Sequence, residues 1–488
     1  MTGYDQAPQI YSIFAAKFNH LRGKKTNIIL ENVAVTDLAA EGKAIARIEN
    51  QVVFITGAIP GDIVNVRVHR KKKNYMEGTI EQLVQPSADR VTPVCEHFGI
   101  CGGCTWQQLP YEKQLMYKEK QVRDQLERIG RIDGSLVRPI LGCSQPYHYR
   151  NKLEYTFSSK RWFTKEEIGS GETITDLQGL GFHIPGKFDK VLDIKTCHLQ
   201  PEPSNSIRLA IREYCMEHQL PFFDILNQTG FLRNVIIRNN LQGEFMVIVS
   251  FFHDDPPVRD GLLFNLASRF PEITSLLFVI NPKGNDTIHD REVQVFKGND
   301  HLLERMEDLT FRISPKSFFQ TNTEQAGALY DITRRMANLQ GKEIVYDLYT
   351  GTGTIALFMA RHCSRVVAVE YVQEAIEDAK INADLNEIEN AHFFAGDMKD
   401  ILTPEFIARE GSPEVVILDP PRAGVHPDVL ARILEASPER IVYVSCNPGT
   451  QARDLAILSS GYHVTEVQPV DMFPHTMHVE NVALLLRN

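Results

Sequence analysis

From about residue 321 onward, short β-branched runs alternate with helix-period segments, and this rhythm restricts the fold more than any other feature of the chain. Runs at 344–348, 366–369, 392–395, 415–418, 441–444 and 463–467 read as strands, with a last one at 482–486. Helical patterns fill most of the gaps between them. That order predicts an open, doubly wound, mostly parallel sheet with its ligand at the carboxyl ends of the strands. Thr321 and Glu324 have capping-box spacing, which predicts a helix running to Ala337.

The other 320 residues differ in texture. At 488 residues the chain is long enough for roughly three domains of about 150 residues. Residues 1–25 read as a leader. Between 26 and 88, five short strand-like runs separated by turns predict a small OB-like β-barrel. Residues 89–320 mix strands and helices without a repeating unit and read as an α+β middle domain, with a helix expected from Tyr111 to about Ile129, closed by Gly130. Residues 321–488 form the Rossmann-like α/β domain.

Composition limits the partners. Net charge is −10, from 52 basic and 62 acidic residues, so any nucleic-acid site must come from local clusters. One such cluster is Arg67, Arg70, Lys71, Lys72 and Lys73 in the barrel; another is Arg150 and Lys152. A solvated hairpin is the bland alternative for the first, and an exposed basic face for the second. No apolar run approaches a membrane span, and the N-terminus lacks a secretory pattern, so a cytoplasmic location with reduced thiols is expected. No obligate protein partner is inferred.

The C-terminal sheet carries its chemistry at the strand ends. The first strand runs into Tyr349-Thr350-Gly351-Thr352-Gly353, a turn that lets backbone approach a ligand. Glu370 ends the second strand, where a carboxylate can accept ribose hydroxyls, and Asp397 follows the third, within reach of an adenine amino group. These features fit a nucleoside cofactor but do not separate NAD from S-adenosylmethionine.

The next two strand ends do. The fourth runs into Asp419-Pro420-Pro421-Arg422 and the fifth into Ser445-Cys446-Asn447-Pro448. Asp-Pro-Pro before an aromatic residue would suit methylation of an exocyclic amine, but Arg422 stands there and a cysteine lies on the adjoining strand. That pairing suits carbon 5 of uracil, a poor nucleophile until a thiolate adds to carbon 6. A helix starting near Gly449 is expected to stabilise the Cys446 thiolate. The base should come from the tail 471–480; Glu480 is the candidate and His478 the rival.

Together these motifs, with Phe473-Pro474-His475-Thr476, resemble the RNA 5-methyluridine methyltransferase family. The resemblance implies Cys446 as nucleophile and Glu480 as base. It places S-adenosylmethionine contacts on Gln320, Tyr349, Glu370, Asp397 and Asp419, and it departs from some members at Thr354, where they carry Asn. The barrel is similar to the TRAM domain, an RNA-binding module.

Cys95, Cys101, Cys104 and Cys197 supply four possible thiolate ligands, and their spacing alone is open between structural zinc and an iron–sulfur cluster. The resemblance extends to the cluster-bearing branch of the family and implies [4Fe-4S]. It also implies structured RNA as substrate, with 23S ribosomal RNA favoured and the T-loop uridine of transfer RNA as the alternative. Two other classes remain: an exocyclic-amine methyltransferase, and a non-enzymatic iron–sulfur RNA-binding protein. The last leaves Asp419, Cys446 and Glu480 without a purpose.

Overall fold

The computed structural model describes residues 28–488, so the expected leader lies outside the described residues. The chain divides into two compact units, one holding the barrel strands and the other Asp89–Asn488 together with Ala40–Gly42.

The barrel is built from β1 (Ile28–Leu38), β2 (Ala44–Ile48), β3 (Gln51–Thr56), β4 (Ile63–Lys71) and β5 (Tyr75–Gln85), closed in the order β1-β2-β3-β5-β4. Alternate residues point inward, so Val33, Val35, Ala44, Ala46, Val53, Ile55, Val64 and Val66 make its core. Gly78 is demanded by the close approach of β4 and β5: a Cβ there would lie 2.5 Å from Val66 Cγ1 and 2.7 Å from the Arg67 carbonyl. The basic run lies on β4 and the turn after it. Arg67 is held by both oxygens of Glu81 (2.6 and 2.5 Å) and Arg70 by Glu77 (3.0 Å), while Lys71, Lys72 and Lys73 are exposed. A run without an acidic residue in sequence therefore acquires acidic neighbours across the β4–β5 ladder.

The second unit holds two seven-stranded sheets. The first comprises β6 (Lys152–Ser158), β7 (Gly179–Ile184), β8 (Lys187–Asp193), β9 (Leu232–Asn239), β10 (Phe245–Phe251), β11 (Ile273–Ile280) and β12 (Val293–Gly298), in the order β12-β11-β10-β9-β6-β7-β8. Its central strands β9 and β10 are buried throughout, the signature of a strand covered on both faces. This is the expected α+β middle region. Arg150 and Lys152, expected to contact RNA, are instead half-buried here. The Arg150 guanidinium lies over the Phe473 ring, and burial beside Arg238 lowers the Lys152 pKa, because β6 is an interior strand of the sheet.

The second sheet comprises β15 (Ile344–Leu348), β16 (Arg365–Glu370), β17 (Ala391–Ala395), β18 (Val415–Leu418), β19 (Arg440–Ser445), β20 (Tyr462–Val470) and β21 (Glu480–Arg487), ordered β17-β16-β15-β18-β19-β21-β20; the hairpin β13 (Leu302–Met306) and β14 (Leu309–Ile313) precedes it. Strands β15 to β19 run parallel, and β21 is antiparallel to β19. The doubly wound expectation holds. The helix before β15 spans Thr323–Ala337, and its cap is Asn322, whose side chain accepts from Gln325 N at 3.3 Å, not Thr321. Asparagine is the stronger cap, and the Thr321 carbonyl is already taken by Asn151 N.

Helix α1 (Tyr111–Gln125), followed by a single π turn over Leu126–Gly130, lies in the stretch read as middle domain. In the structure Val122 and Leu126 join the core of the second sheet, beside Tyr443, Leu455 and Val467. Among the described residues no helix is long and apolar enough to cross a membrane.

Candidate active site

Every parallel strand of the second sheet delivers its last residues to one edge, and the antiparallel β21 begins at that same edge. Tyr349, Glu370, Asp397, Asp419, Cys446 and Glu480 therefore converge from six different strands. Pairing of Ser445 with Asn481 ends the β19–β21 ladder. One further step along this register brings Cys446 beside Glu480, two residues that are 34 positions apart in sequence.

The nucleoside end of the edge is tied to backbone. Gly351 has φ +55 and nothing within 4 Å of where a Cβ would sit, so the turn leaves open space at the strand end. Glu370 accepts from Gly351 N (3.1 Å) and Val372 N (3.0 Å), which holds its carboxylate at the mouth of that space. Asp397 caps the short helix after it through Lys399 N (3.2 Å) and pairs with Lys399 Nζ (3.3 Å). Tyr349 sits in the left-handed region with φ 69, and burial raises its phenol pKa to about 12. Gln320 lies in the loop after β14; Asn151 Nδ2 donates to its carbonyl (2.8 Å), and Arg238 Nη2 donates to the Ser317 carbonyl (2.8 Å).

The other end is a pocket of buried acids. Burial raises Glu480 to about 8, with the Asp419 charge adding and Arg422 opposing. Burial and the neighbouring Asp347 raise Asp419 to about 7, and burial raises Asp347 likewise to about 7. Glu480 and Asp347 are buried and Asp419 is half-buried, and the repulsion of Asp419 by Asp347 and of Glu480 by Asp419 makes a site that a cation would relieve. A sulfonium ion fits that donor set, and its charge would favour their ionised forms.

Cys446 departs from expectation. Helix Pro448–Leu458 does start behind it, with Asn447 as cap donating nothing to the thiol and accepting from Gly449 N at 3.1 Å. Yet burial, then the charges of Glu480 and Asp419, push the Cys446 thiol up to about 11, and Arg422 offsets only part of this. Desolvation and two carboxylates outweigh one helix terminus, so the isolated enzyme keeps a thiol.

Two arrangements join residues that are distant in sequence. Arg422 Nη2 lies 2.9 Å from His478 Nδ1, and Asn447 Nδ2 donates to the Arg422 carbonyl (3.1 Å), so the two motif loops and the tail are one hydrogen-bonded unit. Burial and the Arg422 charge lower His478 to about 4. The second is a buried Lys118–Asp471 pair at the base of the tail loop (2.6 Å), whose partners stand 353 positions apart.

The four cysteines Cys95, Cys101, Cys104 and Cys197 line one cavity of about 170 Å³ together with His97, Arg150 and Phe182. All are free thiols. Burial, with the charges of the neighbouring cysteines adding to it, raises Cys101 to about 11 and Cys104 to about 12. Among the described residues no group of three or more His, Cys, Asp or Glu stands close enough to hold one metal ion.

The comparisons agree with this geometry. Residues 295–488 match the family model of tRNA (uracil-5-)-methyltransferase, and residues 31–80 match the TRAM domain. A protein of Porphyromonas gingivalis described as an uncharacterized RNA methyltransferase is 56% identical over 93% of this chain and 99% of its own length; one of Chlorobaculum tepidum with the same description is 40% identical over 96% and 98%. The crystal structure of Pyrococcus abyssi tRNA (uracil-54, C5)-methyltransferase in complex with S-adenosyl-L-homocysteine is 28% identical with a TM-score of 0.72, covering 93% of this chain and 100% of that one. With its TRAM barrel, its doubly wound C-terminal sheet and relatives alike along nearly their whole length, the chain belongs to the RNA methyltransferases of the uracil-5 family.

Proposed function

We propose that this enzyme methylates carbon 5 of a uridine in structured RNA, with Cys446 as nucleophile and Glu480 as base. The observation that carries the reading is the β19–β21 register, which sets the thiol and a buried carboxyl side by side at the cofactor edge. The Cys446 thiol gives up its proton to solvent, its sulfur bonds to carbon 6 as the carbon 5–carbon 6 double bond opens into an enolate, and carbon 5 becomes electron-rich. Tyr349, Glu370, Asp397, Asp419 and the Gln320 loop would hold S-adenosylmethionine, which would supply the methyl group to carbon 5 and leave as S-adenosylhomocysteine. Glu480 then takes the proton from carbon 5, the carbon–sulfur bond breaks, and the ring regains its double bond with the thiolate as leaving group. The raised pKa suits the carboxyl, which is a stronger base than a surface glutamate; the thiol would ionise more readily once the cofactor's sulfonium charge lies beside it.

The cysteine cavity is read as the holder of a [4Fe-4S] cluster through Cys95, Cys101, Cys104 and Cys197. The four thiols and the size of the space support this. The cluster would link residues 95–104 to the segment around Cys197, and methyl transfer needs no electron from it.

A target in 23S ribosomal RNA is the reading that the sequence resemblance favours. Transfer RNA is the second reading, favoured by the Pyrococcus abyssi enzyme, which acts on uracil-54 of tRNA and matches 93% of this chain. In either RNA the base must leave its stack to reach Cys446. Incubation with tritiated S-adenosylmethionine and separated cellular RNAs, followed by mapping of 5-methyluridine, decides between them. RNA containing 5-fluorouridine should trap a covalent adduct that Cys446→Ala abolishes. Persistence of the adduct in that variant would remove the proposed nucleophile.

A further inference from the structure

The loop between β20 and β21 carries the tail motif, yet much of what holds it lies far upstream, in residues 105–118. Lys118 is fully buried and donates to Asp471 Oδ1 (2.6 Å) and to the Phe473 carbonyl (3.0 Å). Tyr111 Oη donates to Asp471 Oδ2 (2.9 Å). Gln114, also fully buried, accepts from His475 N (2.8 Å) and lies 3.2 Å from His475 Nδ1. The backbone amides of Thr105 and Trp106 both donate to the His475 carbonyl (2.8 and 3.0 Å). His475 itself is held at φ 65, a conformation that a non-glycine residue adopts only when its surroundings enforce it.

A buried lysine–carboxylate pair adds little net stability over an apolar pair, but it admits one geometry and punishes loss of a partner. What this geometry controls can be followed outward. Phe473 meets His478 edge to face (6.3 Å between ring centres), His478 contacts Arg422, and the Arg422 carbonyl is bonded to Asn447 beside Cys446. Glu480 ends the same loop, opposite Val470.

We propose that Lys118, with Tyr111 and Gln114 on the same helix, is a positioning residue for proton removal from carbon 5: it fixes loop 471–479 so that Glu480 meets the methylated ring. The inference rests on the uridine C5 reading above. It implies that the C-terminal domain by itself lacks part of its machinery, because the clamp comes from α1.

The test compares Lys118→Met and the milder Tyr111→Phe with the parent enzyme, using S-adenosylmethionine and an ordinary uridine-containing RNA substrate. Turnover, cofactor and RNA affinity, and the amount of covalent protein–RNA complex on denaturing gels are read together. Lys118→Met should turn over about tenfold to a hundredfold more slowly, the scale of a misplaced catalytic group. It should keep cofactor affinity within about twofold and accumulate the methylated covalent complex, because addition and methyl transfer outrun proton removal. Tyr111→Phe should shift the same way by a few-fold. A folded Lys118→Met enzyme with parental turnover, or one whose loss lies wholly in affinity with no complex accumulating, overturns the proposal. Should Lys118→Met fail to fold, Tyr111→Phe decides by the same two readings. Failure of the parent to form an adduct with 5-fluorouridine RNA sinks the uridine reading itself and is distinguishable from either result.

Discussion

The Arg422 guanidinium donates to Nδ1 of His478 across 2.9 Å, joining the loop after the fourth parallel strand to the C-terminal tail. The contact favours Glu480 over His478 as the proposed base on physical grounds. An imidazole whose Nδ1 lone pair is occupied by a cation, and whose pKa is lowered to about 4, is a poor proton acceptor; a buried carboxyl at about 8 is a good one. His478→Gln should therefore keep 5-methyluridine formation within about tenfold of the parent, whereas Glu480→Gln should lose the roughly 10²- to 10⁴-fold that a general base contributes. Single-turnover assays on the same RNA check this, and equal losses in both variants would contradict it.

Acid pairing at the site has a consequence for stability. Glu480 and Asp419 titrate in the folded enzyme near 8 and 7, above the ordinary carboxylate range expected in the unfolded chain. Between those limits the folded state binds more protons than the unfolded one, so stability is full at about pH 4 and falls as pH rises towards 8. Thermal unfolding of the ligand-free enzyme between pH 5.5 and 8.5 should show this decline from these groups, and Glu480→Gln should flatten it. Cationic S-adenosylmethionine should oppose the decline more than S-adenosylhomocysteine, which carries no sulfonium charge. Calorimetry at pH 7 should show proton release on binding the former.

Cys446 should be sluggish toward alkylation in the free enzyme. A thiol raised to about 11 is almost wholly protonated at pH 7. The Arg422 charge opposes this rise, so Arg422→Ala should slow iodoacetamide labelling of Cys446 and adduct formation with 5-fluorouridine RNA by several-fold. Faster labelling in that variant would show that Arg422 shields the thiol and does not activate it.

In the barrel, Arg67 and Arg70 already share charge with Glu81 and Glu77, whereas Lys71, Lys72 and Lys73 are exposed. If the barrel contacts phosphates, neutralising the three lysines should lower the slope of log affinity against log salt by about 2, from roughly 0.7 per phosphate contact on single strands. Arg67→Ala should change the slope by less. A titration series in salt measures both.

Much of the site was legible before any coordinates, because its residues stand at strand ends. A strand that ends in Asp-Pro-Pro-Arg or Ser-Cys-Asn-Pro announces its loop, and parallel alternation tells that all such loops share one edge. The same local logic found the barrel from the spacing of its short runs. Local pattern could not reveal which charges remain free: Arg67 looks uncompensated in its own segment and meets Glu81 only across the ladder. Nor could it reveal that Lys152 turns inward, since its neighbours in space come from β9.

By itself, then, the order of residues determined the architecture, the cofactor edge and the identity of the thiol and carboxyl placed there, since periodicity and turn chemistry are local properties. Tertiary structure decided the rest: the protonation of Cys446 and Glu480, the partner of His478, and the grip of Lys118 on Asp471 from 353 residues away. Each of these depends on burial and on charges brought close by folding, and electrostatic energy is set by distance in space and exclusion of water.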